Sequence, residues 1–148
     1  MSGKVYPLKD AQADSVNPKQ SVWLSASAGT GKTQVLSARV LRLLLEPNAD
    51  PSQILCLTFT KAGAAEMAVR VNSVLARWVR MDAGQLATEL AHLGAPIDPE
   101  AQSRARSLFA RVLDCPGGGL RIDTIHAFAQ YLLSAFPSEA GVLPGSQP

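Results

Sequence analysis

The stretch LSASAGTGKT, residues 24–33, sets out glycines, a lysine and a hydroxyl in the order that holding a phosphate requires. Gly29 and Gly31 allow backbone conformations and a close approach that a Cβ would obstruct. Backbone N–H groups along Ala26, Ser27, Ala28, Gly29, Thr30 and Gly31 are the inward-pointing donors, Lys32 can reach the β- and γ-phosphates, and Thr33 can ligate Mg²⁺. If chemistry occurs here, Lys32 and Thr33 are its catalytic groups. Ala26 stands where the pattern G-x-x-x-x-G-K-[ST] has its first glycine, and its single methyl group predicts a tolerated loop. The bland alternative is a strand-to-helix turn with an exposed lysine. Average residue usage gives an [AG]-x4-G-K-[ST] match in a chain of this length on the order of 1% of the time by chance, and a flanking strand and helix lower that further.

Such a loop works between a strand and a helix. Residues 21–25, SVWLS, are short, apolar and rich in β-formers, and predict that strand. Residues 33–45, TQVLSARVLRLLL, are apolar on nearly every face and predict a packed helix, ended by EPNADP. QILCLTF, residues 53–59, has the pattern of a parallel strand covered on both faces, completing a right-handed β-α-β unit.

Residues 61–80 place Ala64, Met67, Val71, Val74 or Leu75, and Trp78 on one stripe, an amphipathic helix whose Glu66 and Arg70 read as a surface pair. Residues 82–93 and 99–114, split by GAPIDP, predict two more helices, with Ala101, Ala105, Leu108 and Val112 at helical spacing in the second. After CPGGG, LRID reads as a short strand and TIHAFAQYLLSAF as a last helix, followed by a loop-like end.

At 148 residues and 47% hydrophobic content, one domain with a sizeable core is expected. A net charge of +2 neither demands nor excludes a polyanionic partner. Cys56 and Cys115 form no C-x-x-C pair, which argues against a disulfide framework or zinc knuckle and for reduced thiols in a cytoplasmic protein. No apolar run approaches the roughly 20 residues of a membrane span, and MSGKVYPLKDAQ lacks the hydrophobic segment of a signal peptide.

Beyond the loop, ILCLTFTKAGAAEM (residues 54–67) resembles the first DNA-contacting motif of UvrD/Rep-type superfamily 1 helicases, a strand ending in T-F-T before a small-residue helix with E-M. TIHAF (residues 124–128) resembles their next DNA-contacting motif, and Gln12 sits where they keep an adenine-reading glutamine. Within that family the alanine-led loop, VLSARVLRLLL, LFARVLDCPGGGLRIDTIHAF and FPSEAGVLPG are most similar to AddA, with RecB sharing the ASAGTGKT and TFT features.

The resemblance implies an α/β fold, a RecA-like P-loop NTPase motor domain of which residues 1–148 are the N-terminal portion, with a helical insert at about 82–116. It implies ATP and Mg²⁺ as cofactors and, for partners, single-stranded and duplex-end DNA together with an AddB-like protein. The whole would be a bacterial cytoplasmic helicase-nuclease acting in double-strand break repair. The resemblance assigns Gln12 to adenine, Lys32 and Thr33 to phosphate and Mg²⁺, and Phe59, Thr124 and His126 to single-stranded DNA. Chemistry agrees, since an amide can bond adenine bidentately and an aromatic can stack on any base. Thr60 and Lys61 suit backbone phosphates nearby. Each has a plainer reading: Gln12 as a solvated helix residue, Phe59 as strand core, His126 as a helix cap.

Hydrolysis in such motors also needs an acidic pair after an apolar strand and arginines from a second motor domain. No such pair is found, Asp123 being the best single carboxylate, and those parts are expected beyond Pro148. A non-catalytic nucleotide-binding module and a small P-loop kinase are the alternatives. The kinase leaves TFTKAGAAEM and TIHAF without a role.

Overall fold

The computed structural model describes residues 4–9, 11–25, 31–116 and 119–141. Along the chain lie α1 (Ala11–Ser15), α2 (Lys32–Leu44), a 3-10 turn (Pro51–Gln53), β1 (Leu55–Thr58), α3 (Lys61–Trp78), α4 (Ala83–His92), α5 (Pro99–Leu113), β2 (Arg121–Thr124) and α6 (Ile125–Ala135). β1 and β2 pair in parallel, with Leu55 opposite Arg121 and Thr58 opposite Thr124, and α3, α4 and α5 lie in the connection between them. This is the α/β mixture with parallel strands that the sequence predicts.

The helices begin where short polar side chains can take up unpaired backbone donors. Thr60, Asp82, Asp98 and Thr124 accept the N–H groups of Gly63, Gln85, Ala101 and Ala127 at 3.0, 2.8, 2.9 and 3.1 Å. Pro99 occupies the first turn of α5, where its missing N–H costs nothing. Inward on α5 point Ala101, Ala105, Leu108 and Val112, at the spacing read from the sequence. The last three join Val71, Leu75 and Trp78 of α3 and Leu86 and Leu90 of α4 in the core, each buried leucine contributing about 1.5–3 kcal/mol.

One buried carboxylate, that of Glu89, serves two side chains at the core. The Trp78 indole N–H donates to Glu89 Oε2 at 2.9 Å, and Arg77 donates to the other carboxylate oxygen. Arginines of α5 tie distant carbonyls together: Arg104 bonds Leu45 at 2.9 Å, Arg106 bonds Met81 at 2.6 Å and Arg111 bonds Ala49 at 2.6 Å. Two of those carbonyls lie at or just past the ends of α2 and α3, where backbone acceptors lack helical partners. Glu66 and Arg70 form the expected i, i+4 surface pair at 3.1 Å.

The structure departs from the sequence reading in two places. Residues 21–25 form no strand, although Leu24 packs on the core, and Trp23 is 93% exposed. A strand needs a neighbour for its backbone groups, and among the described residues the sheet contains β1 and β2 alone. The β-α-β unit expected through residue 59 is therefore not formed. Nor is the run 53–59 covered on both faces: Ile54 and Cys56 pack on the core, whereas Leu55 and Leu57 are exposed. No second apolar layer lies over them among the described residues, and α6 itself has no buried residue.

Candidate functional site

At the start of α2, Gly31 has φ 84° and ψ 18°, the left-handed region that glycine favours, and it has no side chain with which to cap the helix. Unlike α3, α4, α5 and α6, each capped by a Thr or Asp side chain, α2 starts without a side-chain bond from its own N-cap residue to its first N–H groups. About half a positive charge of helix dipole adds to them. Lys32, exposed, and Thr33, half-buried, fill the first turn. Ala26, Ser27, Ala28, Gly29 and Thr30 lie outside the described residues.

Gln12 lies in α1, where its Oε1 accepts the Lys9 N–H at 3.3 Å. Its amide is thus engaged in the turn that starts its own helix. What fixes α1 against α2 is Arg39, whose guanidinium donates to the carbonyls of Ser15, Asn17 and Gln20 at 2.9, 3.0 and 2.6 Å. One residue of α2 therefore holds the segment bearing Gln12. Sequence reading missed it, because an arginine bonding carbonyls about twenty positions away has no local spacing signal.

A second cluster forms at the carboxyl ends of the strands. Because Thr58 and Thr124 are in register, the starts of α3 and α6 emerge side by side. The structure thus gathers Phe59, Thr60, Lys61, Thr124 and His126 on one rim. Phe59 is 87% exposed, which removes its reading as strand core within these residues. Lys61 and His126 are exposed as well. The hydroxyls of Thr60 and Thr124 are committed to capping α3 and α6, and Thr124 is buried, so these two shape the rim through their helix starts. Two adjacent helix N-termini with a lysine and an open aromatic ring suit a polyanion bearing planar bases.

Asp123 belongs to an ion pair. Arg121 Nε donates to Asp123 Oδ2 at 3.0 Å, and the guanidinium lies 3.7 Å from the Tyr131 ring centroid and 5.2 Å from that of Phe128. The Asp123 hydrogen bond, with smaller help from Tyr131, raises the pKa of Arg121 further. Among the described residues no three His, Cys, Asp or Glu side chains gather as a metal site.

The UvrD/REP helicase N-terminal domain family matches residues 8–146, a span that contains both clusters. The chain belongs to this family. Among similar proteins, the AddA component of the ATP-dependent helicase/nuclease of Pelotomaculum thermopropionicum is 44% identical over 77 residues, 49% of this chain and 6% of its own. The RecBCD enzyme subunit RecB of Chlamydia trachomatis is 31% identical over 144 residues, 90% of this chain and 14% of its own. A probable DNA helicase II homolog of Rickettsia felis is 42% identical over 72 residues, covering 48% and 11%. The chain thus spans about a seventh or less of the length of these relatives. No solved structure matches it.

Proposed function

We propose that this UvrD/REP-family chain is the ATP- and single-stranded-DNA-binding N-terminal part of an AddA-like, ATP-dependent DNA helicase acting in double-strand break repair. The observation that carries the reading is the start of α2: a left-handed Gly31 without a capping side chain, followed at once by Lys32 and Thr33. That arrangement fits a nucleotide polyphosphate, since it combines donors, dipole and cation on one turn. When bound, Mg²⁺-ATP supplies the phosphoryl group whose transfer powers such a motor. Lys32 neutralises phosphate charge and Thr33 offers its hydroxyl to the metal. At the strand ends, Phe59 stacks on a base while Lys61 and the starts of α3 and α6 hold backbone phosphates, contacts that carry no sequence information.

Binding and turnover separate in these 148 residues. Asp123, the best single carboxylate for ordering water, is committed to Arg121. In a protein of the relatives' length, further motor and nuclease segments and an AddB-like protein would complete the enzyme. The test is titration of the chain with a fluorescent ATP analogue in Mg²⁺, paired with phosphate release with and without an oligonucleotide. Wild type should bind without DNA-stimulated turnover, and Lys32→Ala should weaken binding at least about tenfold, the loss of one charge-assisted phosphate contact. Equal binding by folded Lys32→Ala would overturn the nucleotide assignment. Phosphate transfer to a small metabolite would favour a kinase instead.

A further inference from the structure

Between the N-terminal segment and the facing sides of α2 and α3 lies a cavity of about 220 Å³. Its walls are apolar, formed by Val5, Ala38, Leu41, Val69, Val74 and Leu93. Lys4, Gln34 and Arg70 also line it, with Lys4 Nζ 5.9 Å from the centroid of the Tyr6 ring. Gln12 and the strand-end rim do not line it. An apolar cavity of about 150 Å³ accommodates a benzene molecule, so this one has room for about two fused rings. The hydroxyls of Ser37 and Ser73 already donate to Thr33 and Val69 carbonyls, at 2.8 and 2.6 Å, and have little left to offer a ligand. The charges facing it are the cations Lys4 and Arg70, the second shared with Glu66 one turn back on α3.

We infer that this cavity is a binding site for a small aromatic anion, its rings between α2 and α3 and its carboxylate or sulfonate toward Lys4 and Arg70. The apolar walls supply burial for a planar body, and the two lining cations, Lys4 and Arg70, choose the sign of its substituent. A neutral ring of the same size gains only the first, and a cation meets repulsion. Its charged determinants, Lys4 and Arg70, are not among the residues assigned to nucleotide, although Gln34 on its wall follows Thr33 in α2.

The probes are 2-naphthoate, the neutral 2-naphthalenemethanol and the cationic 2-naphthylmethylamine, titrated into the isotopically labelled 148-residue chain and followed by NMR without nucleotide. Saturable shifts should centre on Ala38, Leu41, Val74 and Leu93, with naphthoate bound about fivefold more tightly than the alcohol, the size of one partly exposed ion pair, and the amine weakest. Lys4→Gln with Arg70→Gln should bring naphthoate down to the alcohol and leave the alcohol unchanged. Val69→Trp, at a wall position 55% exposed, should block all three by filling the space. Equal affinity for the three probes, or shifts centred on Leu55, Leu57 and α6 in place of the cavity, would overturn the inference. Should Val69→Trp unfold, the double charge variant still decides it.

Discussion

Thr58 and Thr124 stand opposite each other in the parallel ladder, so the residues that follow them start two helices at one edge of the sheet. Everything the strand ends can offer a nucleic acid derives from that register. A shift of one residue would turn the C-terminal side chains of one strand to the other face and separate the two helix starts.

Phe59 is the first test of that rim. Base–aromatic stacking is worth roughly 1–3 kcal/mol, so Phe59→Ala should weaken binding of a labelled single-stranded oligonucleotide by about five- to a hundredfold. Its 87% exposure predicts an unchanged thermal midpoint and nucleotide affinity. A loss of stability with DNA binding intact would make the ring structural.

Arg39 should act on position. Arg39→Met keeps the aliphatic stem but frees three carbonyls, those of Ser15, Asn17 and Gln20, at a cost of about 1–3 kcal/mol in urea unfolding. Hydrogen exchange of residues 12–20 should accelerate more than that of α5. Uniform acceleration across the chain would deny Arg39 its local role.

Removing Glu89 leaves the Trp78 indole N–H and the Arg77 guanidinium without their acceptor. Because Arg77 remains a third exposed, the expected cost of Glu89→Ala is about 2–3 kcal/mol, below that of a wholly buried pair. Glu89→Gln, which can still accept from Trp78, should lose less. Chemical denaturation of the two variants side by side measures the difference.

Acid should loosen α5 at its start. Asp98 accepts the Ala101 N–H, and this bond holds its folded pKa below 3.8. The unfolded state therefore binds the proton more readily, so the stabilisation is complete above 3.8 and disappears as pH falls through the lower folded value. Asp98→Asn retains an acceptor but no titration, and its thermal midpoint should fall less than that of wild type on acidification below pH 3.8. Parallel acid profiles would show that Asp98 adds nothing to the pH dependence.

Local patterns were legible because local physics sets them. Ala101, Ala105, Leu108 and Val112 point inward as their spacing predicts, since one face of a helix repeats every three to four residues. The apolar run around Leu55 and Leu57 could not reveal that one of its faces lacks a cover, because a strand's composition does not say how many layers meet it. The same holds for residues 21–25, whose β-forming side chains cannot supply a neighbouring strand. Thr124 reads as a nucleic-acid contact through resemblance and Thr60 as a neighbouring phosphate contact, and the structure shows both hydroxyls turned to their own helices. A polar residue just ahead of each helical run was the signal for that second role. The long reach of Arg39, Arg104 and Arg111 to backbone carbonyls left none.

α3 joins the strand-end rim to the helical core without interruption, from Lys61 to Trp78. At 1.5 Å per residue its 18 residues make a rod about 27 Å long. With Trp78 fixed as a pivot, a tilt of about 5° carries the Lys61 end through about 2 Å, on the scale of a hydrogen bond made or broken. The indole at the pivot is fully buried against Glu89, whereas Trp23 is 93% exposed to solvent. The chain thus carries its own gauge: a load on the lever shifts the blue-edge emission of one tryptophan while a quencher in solution silences the other.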